Sequence, residues 1–181
     1  MMKTLSNSSP LLSFNFVTFI NDFLQLTKFR LAISVVFSSI AGYLLAVDHI
    51  DSSILMGLLF GGFAMVGASN AFNQWIEKEK DSLMDRTKNR PLPSGRMNNL
   101  TALVIASLLT LVGIFVLNNI NFKTALFGAL SIFIYTCIYT PLKSVTPLSV
   151  FIGAFPGAIP FMLGWVAATG SFGIPGFKWP L

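Results

Sequence analysis

Residues Leu100–Leu117 read LTALVIASLLTLVGIFVL, with no charged side chain anywhere in the run. A helix rises about 1.5 Å per residue, and roughly 20 apolar residues cross the hydrocarbon core of a bilayer. This run comes close to that length and is apolar on every side, as suits a helix surrounded by lipid and by other helices. Four further stretches read the same way: Leu31–Val47, Ile54–Phe72, Phe122–Thr140 and Leu148–Thr169. The first of these is short, and the amphipathic residues Phe14–Phe29 extend it as an approach helix. The whole chain agrees, since 54% of its 181 residues are hydrophobic, 10% are charged and mean hydropathy is +0.72. A soluble domain carries about a quarter charged residues. The reading is therefore an all-α, polytopic transmembrane helix bundle with about five spans. Short connections at Asp48–Ser53, Asn118–Asn121 and Pro141–Pro147 make consecutive helices antiparallel neighbours.

Three regions follow from this layout. Residues 1–29 form a polar tail and the amphipathic approach, 30–173 the membrane domain, and 174–181 a short tail. The first 29 residues lack a small-residue cleavage site after a compact apolar core, which argues against a removed signal peptide. Lys and Arg set the orientation, because they collect on the cytoplasmic side of short loops. With the N-terminus cytoplasmic, ten of the 12 basic residues face inward and only Lys123 and Lys178 face outward. The protein is thus expected in the cell inner (plasma) membrane as a multi-pass protein. Its net charge of +5 is a topology signal, and no nucleic-acid partner is implied. The single cysteine, Cys137, lies in an apolar run and is assigned to the core, so no disulfide framework exists.

One connection differs from the rest. Residues 73–99 carry six of the 12 basic and four of the seven acidic residues. From Asn70 the chain reads NAFNQWIEKEKDSLMDRTKNRPLPSG. Asn73, Glu77 and Asp81 recur every fourth position, so a second span continued through them stacks all three on one face. Two carboxylates aimed at one point near a membrane call for a cation between them. Mg²⁺ takes few carboxylates, keeps waters and leans on substrate phosphates, so this set suits a Mg²⁺–diphosphate site. Asp85 continues the spacing. Arg86 and Arg90, again four apart, offer planar bidentate donors to phosphate oxygens. The competing reading is a solvated helix face, where such pairs add only about 0.2–0.5 kcal/mol each. Pro91, Pro93 and Gly95 then stop the helix and turn the chain toward the third span.

The string N-x-x-x-E-x-x-x-D-x-x-M-x-R-T-x-x-R-P-L-P-S-G-R-M resembles the first aspartate-rich motif of the UbiA-type membrane prenyltransferases, in particular their heme O synthase (protoheme IX farnesyltransferase) branch. Tyr139-Thr140-Pro141-Leu142-Lys143 resembles that branch's Y-T-x-x-L-K loop. Gly153–Pro160, followed by Gly164-Trp165 and Ala168–Gly170, resembles its glycine-rich fifth region. The resemblance implies a bundle of about nine spans around a central cavity, with farnesyl diphosphate and heme b (protoheme IX) as substrates and terminal oxidase assembly proteins as partners. It implies that Asn73, Glu77 and Asp81 hold Mg²⁺ and take the catalytic role, and that Arg86, Arg90 and Lys143 bind the diphosphate. Other implied readings are a superfamily member acting on a quinone precursor and a non-catalytic membrane fragment.

Two departures accompany the resemblance. Glu77 stands where most of the superfamily has aspartate, and a longer carboxylate still reaches the ion. The family has a second aspartate-rich motif in its later half, whereas no acidic residue follows Asp85 here, so the sequence reads as the front portion of a larger bundle. Three smaller features take structural readings. His49, the only histidine, sits in an outer loop. The series Gly57, Gly61, Gly62 and Gly67 allows close helix approach, and Pro156 and Pro160 are expected to kink or break the fifth span.

Overall fold

The computed structural model describes residues 16–172. The tail assigned to 174–181 and the first part of the N-terminal segment lie outside the described residues. α1 (Phe16–Leu26) and α2 (Phe29–Leu44) meet at a bend of 50°. The bend falls on Lys28, whose φ of 48° makes it the only non-glycine residue with a left-handed backbone among the described residues. That conformation costs an L-residue about 1–2 kcal/mol. What holds it is the neighbouring helix: Asn70 Nδ2 donates to Thr27 O at 3.1 Å, and Gln74 Nε2 donates to Gln25 O and Leu26 O, both at 2.9 Å. The orphan carbonyls at the end of α1 are thus satisfied by side chains rather than by water.

α3 (Ser52–Ser82) starts at an Asp51 cap, where Asp51 Oδ1 accepts from Ser53 N at 2.8 Å. α4 (Asn99–Asn118) is capped by Asn98. α5 (Phe122–Phe133) starts at Asn121, whose amide also donates to Val166 O at 3.2 Å. It runs on through a π-helical turn (Ile134–Tyr139) into α6 (Thr140–Leu142), and α7 (Ser149–Thr169) follows. Four helical segments are long and apolar enough to span a bilayer, and the bent α1–α2 pair brings the number to five if it counts as one span. The boundaries lie within a few residues of the apolar runs, except that α3 continues ten residues beyond Phe72.

The helices pack as neighbours in the order α2–α3–α4–α5–α7, and α7 closes back onto α2. Glycines set the closest crossings. A Cβ at Gly164 would collide with Ser39 O and Tyr43 N of α2, and one at Gly42 would collide with Phe161 O of α7. In α3, a Cβ at Gly57 would meet Ile120 at 2.8 Å and one at Gly61 would meet Leu117 at 2.8 Å. Met65, 5% exposed, fills the junction of α3, α4 and α5: Cβ atoms at Gly113 and Gly128 would come within 2.6 Å of its Sδ and 3.0 Å of its Cε.

Three sequence expectations are corrected. Of the kink or break expected at Pro156 and Pro160, the break does not occur: α7 runs as one helix through both, because neighbouring helices in a bundle tolerate the lost hydrogen bonds. Cys137 is exposed on the outer surface rather than buried. In a run that is apolar all round, hydrophobicity does not separate the lipid face from the packed face. Finally, α3 ends at Ser82, well before Pro91, so the prolines are not what stops it.

Candidate functional site

The extension of α3 beyond its apolar part is what creates the polar cluster. Asn73 is 1% exposed and Asp81 5%, and both lie with Glu77 on the face that α3 turns toward α1, α6 and the following turns. Asn73 Nδ2 donates to Glu77 Oε2 at 3.0 Å and to Thr140 Oγ1 at 3.1 Å. Lys143 Nζ pairs with Glu77 Oε2 at 2.7 Å, and Arg90 Nη1 pairs with Asp81 Oδ2 at 2.6 Å. Lys28 Nζ donates to Asn73 Oδ1 at 3.3 Å. Three cations from three separate parts of the chain therefore face one amide and two carboxylates. Lys28 lies at the bend between α1 and α2.

The turns after α3 are built to bring Arg90 back. Thr87, 2% exposed, donates from Oγ1 to Asp81 O at 2.9 Å and so satisfies a carbonyl at the helix end. Leu92 and Met97 are buried with Leu26, Ala71, Ala102 and Ala106, and they anchor the segment as an apolar plug. Gly95, with φ 74°, makes the final reversal. Arg96 fastens the same segment to α1 through Asp22 at 3.0 Å.

Of the six residues singled out from sequence, Asn73, Glu77, Asp81, Arg90 and Lys143 come together. Arg86 does not: it is exposed in the turns and joins none of these pairs. Asp85 leaves the stripe because α3 has already ended, and it is almost fully exposed, paired only with Lys88 at 2.6 Å. His49 is exposed at the opposite end of α3, about 25 residues or nearly 40 Å of helix from Glu77. Lys28 was legible only as a topology charge, and no spacing rule joins it to a residue 45 positions away.

Below the cluster an apolar cavity of about 120 Å³ opens between α2, α3, α5 and α7. Asn70, Tyr135, Pro156 and Pro160 line it, so its upper wall lies one turn of α3 from Asn73. The two prolines of α7 thus both line the cavity. Tyr135 and Tyr139 stack with ring centroids 5.4 Å apart, and Lys143 Nζ lies 5.7 Å from the Tyr139 ring.

Comparison with known proteins agrees with this layout. The model of the UbiA prenyltransferase family matches residues 35–181. A protoheme IX farnesyltransferase of Flavobacterium johnsoniae is 68% identical over 156 residues, covering 84% of this chain and 52% of that protein. The mitochondrial protoheme IX farnesyltransferase of Homo sapiens is 39% identical over 148 residues, covering 81% of this chain and 33% of its own length. The chain thus spans about half the length of the bacterial relative, which is 52% covered. Among solved structures, one described as a study of digeranylgeranylglyceryl phosphate synthase matches with a TM-score of 0.77 at 22% identity, over 83% of this chain and 53% of that one. At that identity the likeness shows the fold.

Proposed function

The chain belongs to the UbiA prenyltransferase family, and from that premise we propose that it forms the diphosphate-binding part of a protoheme IX farnesyltransferase. In this reading the farnesyl group passes from farnesyl diphosphate to a vinyl group of heme b. The observation that carries it is the convergence of Lys28, Arg90 and Lys143 on the Asn73–Glu77–Asp81 face, directly above an apolar cavity.

The donor set fits Mg²⁺. An amide oxygen and two carboxylates on one face are hard oxygen ligands, and the set is small enough to leave positions for water and phosphate. Asn73, Glu77 and Asp81 would hold the ion. When bound, Mg²⁺ supplies positive charge against the leaving diphosphate. Arg90 and Lys143, now paired with the two carboxylates, turn to the diphosphate oxygens and stabilise the charge that accumulates as the allylic C–O bond breaks. The bundle walls keep water from the resulting carbocation. Arg86 is left out of this machinery. The cluster lies on the cytoplasmic side of the inner membrane by the distribution of Lys and Arg.

The test compares two aspartates from the same segment. Membranes containing a full-length protein that carries this chain are supplied with farnesyl diphosphate, heme b and Mg²⁺, and farnesylated heme is measured by mass spectrometry. Asp81→Asn is expected to lower product formation by about 100-fold or more, whereas Asp85→Asn leaves it unchanged. Equal loss from both substitutions sinks the assignment.

A further inference from the structure

Lys28 combines two unfavourable features that a merely structural residue avoids. Its backbone is left-handed, where glycine or asparagine sits without strain, and its ammonium is drawn into a partly buried cluster that already holds two cations. Glu77 and Asp81 are paired with Lys143 and Arg90, so the cluster holds three positive and two negative side chains. The hydrogen bond recorded for Lys28 Nζ runs to a neutral amide oxygen. Positive side chains in the cluster outnumber the negative ones, and the anion that would balance them is one carrying several oxygens on the same side as Arg90 and Lys143.

We infer that Lys28 is a third diphosphate-binding cation, delivered to the site by the left-handed bend between α1 and α2. This rests on the reading of the cluster as a diphosphate site and adds to it a residue from outside the aspartate-rich segment. In the described arrangement Lys28 Nζ holds Asn73 Oδ1, the oxygen that a metal ion would take. Ion and diphosphate arriving together would relieve both groups at once: the amide oxygen passes to the ion and the ammonium to a phosphate oxygen. The bend is braced by Asn70 and Gln74 of α3, so the ammonium approaches the cluster from a fixed backbone.

The experiment uses the purified full chain, with inorganic diphosphate and Mg²⁺ as the probe. Dissociation constants are measured for the parent and for Lys28→Gly, Lys28→Arg and Asp81→Asn, and thermal melting is recorded for each. Lys28→Gly removes the charge and suits the left-handed backbone, so it should melt at or above the parent temperature. It should bind diphosphate about 10- to 100-fold more weakly, as expected for one lost charge-assisted hydrogen bond. Lys28→Arg should recover most of the affinity, which a purely structural role does not require. If the glycine variant loses its fold, Lys28→Asn, also tolerant of this backbone, replaces it in the comparison. Unchanged affinity in the variant without the charge, while Asp81→Asn weakens binding, overturns the role of Lys28 alone. A parent that binds no diphosphate overturns the site reading as well.

Discussion

Thr140 ties the two sides of the cluster together. Its hydroxyl accepts from Asn73 Nδ2 at 3.1 Å and donates to Tyr135 O at 2.8 Å inside the π-helical turn. Thr140 is 1% exposed, so no water is at hand to replace it. Thr140→Val keeps the shape but strands one hydrogen of the Asn73 amide, a loss of about 1–3 kcal/mol. Denaturant or thermal unfolding in detergent should show that drop, and Thr140→Ser should restore most of it; equal stability of the valine variant contradicts the bond. At this scale the four-residue spacing made Asn73, Glu77 and Asp81 legible, because it is a property of one helix. The same rule failed at Asp85 and Arg86, since α3 ends at Ser82 and the turns obey no helical period. Lys28 stayed hidden for a different reason: its position depends on a bend held by Asn70 and Gln74, and no local pattern encodes such tertiary bracing.

Single elements show how small residues decide helix contact. In α7, Gly164 lies against the backbone of α2, while a Cβ at Gly157 meets nothing within 4 Å. Gly164→Ala must therefore push α7 off α2, at a cost of about 1–3 kcal/mol for overpacking. Gly157→Ala, by contrast, should be neutral or slightly stabilising, because alanine is the better helix former by about 1 kcal/mol. Melting of the two variants in one detergent checks this pair, and similar losses from both contradict the close crossing. The spans themselves were legible because the bilayer demands long apolar runs whatever the tertiary detail. What lay beyond the sequence was their internal geometry. The π-helical turn at Ile134–Tyr139 and the unbroken course of α7 through Pro156 and Pro160 both depend on how neighbouring helices satisfy the backbone.

Across the whole molecule, the closure of α7 onto α2 surrounds the apolar cavity and gathers the polar cluster at one end. Within this bundle, Met65 sits wedged between Gly113 of α4 and Gly128 of α5, and that has a chemical consequence. Oxidation would turn its thioether into a bulkier, polar sulfoxide, and with Met65 only 5% exposed an oxidant in the surrounding medium has little access to the sulfur. Met84, by contrast, is 55% exposed in the turns after α3, and Met56 and Met162 are 53% and 45% exposed on the outer surface. Brief treatment with hydrogen peroxide, followed by peptide mass spectrometry, should find Met84 oxidised early and Met65 spared. Met65 should begin to react only under conditions that part α3 from α4 and α5, and oxidation of Met65 in step with Met84 in the folded protein contradicts the packing. The thioether would then act as a built-in clock for the opening of the bundle, read as mass added at one residue.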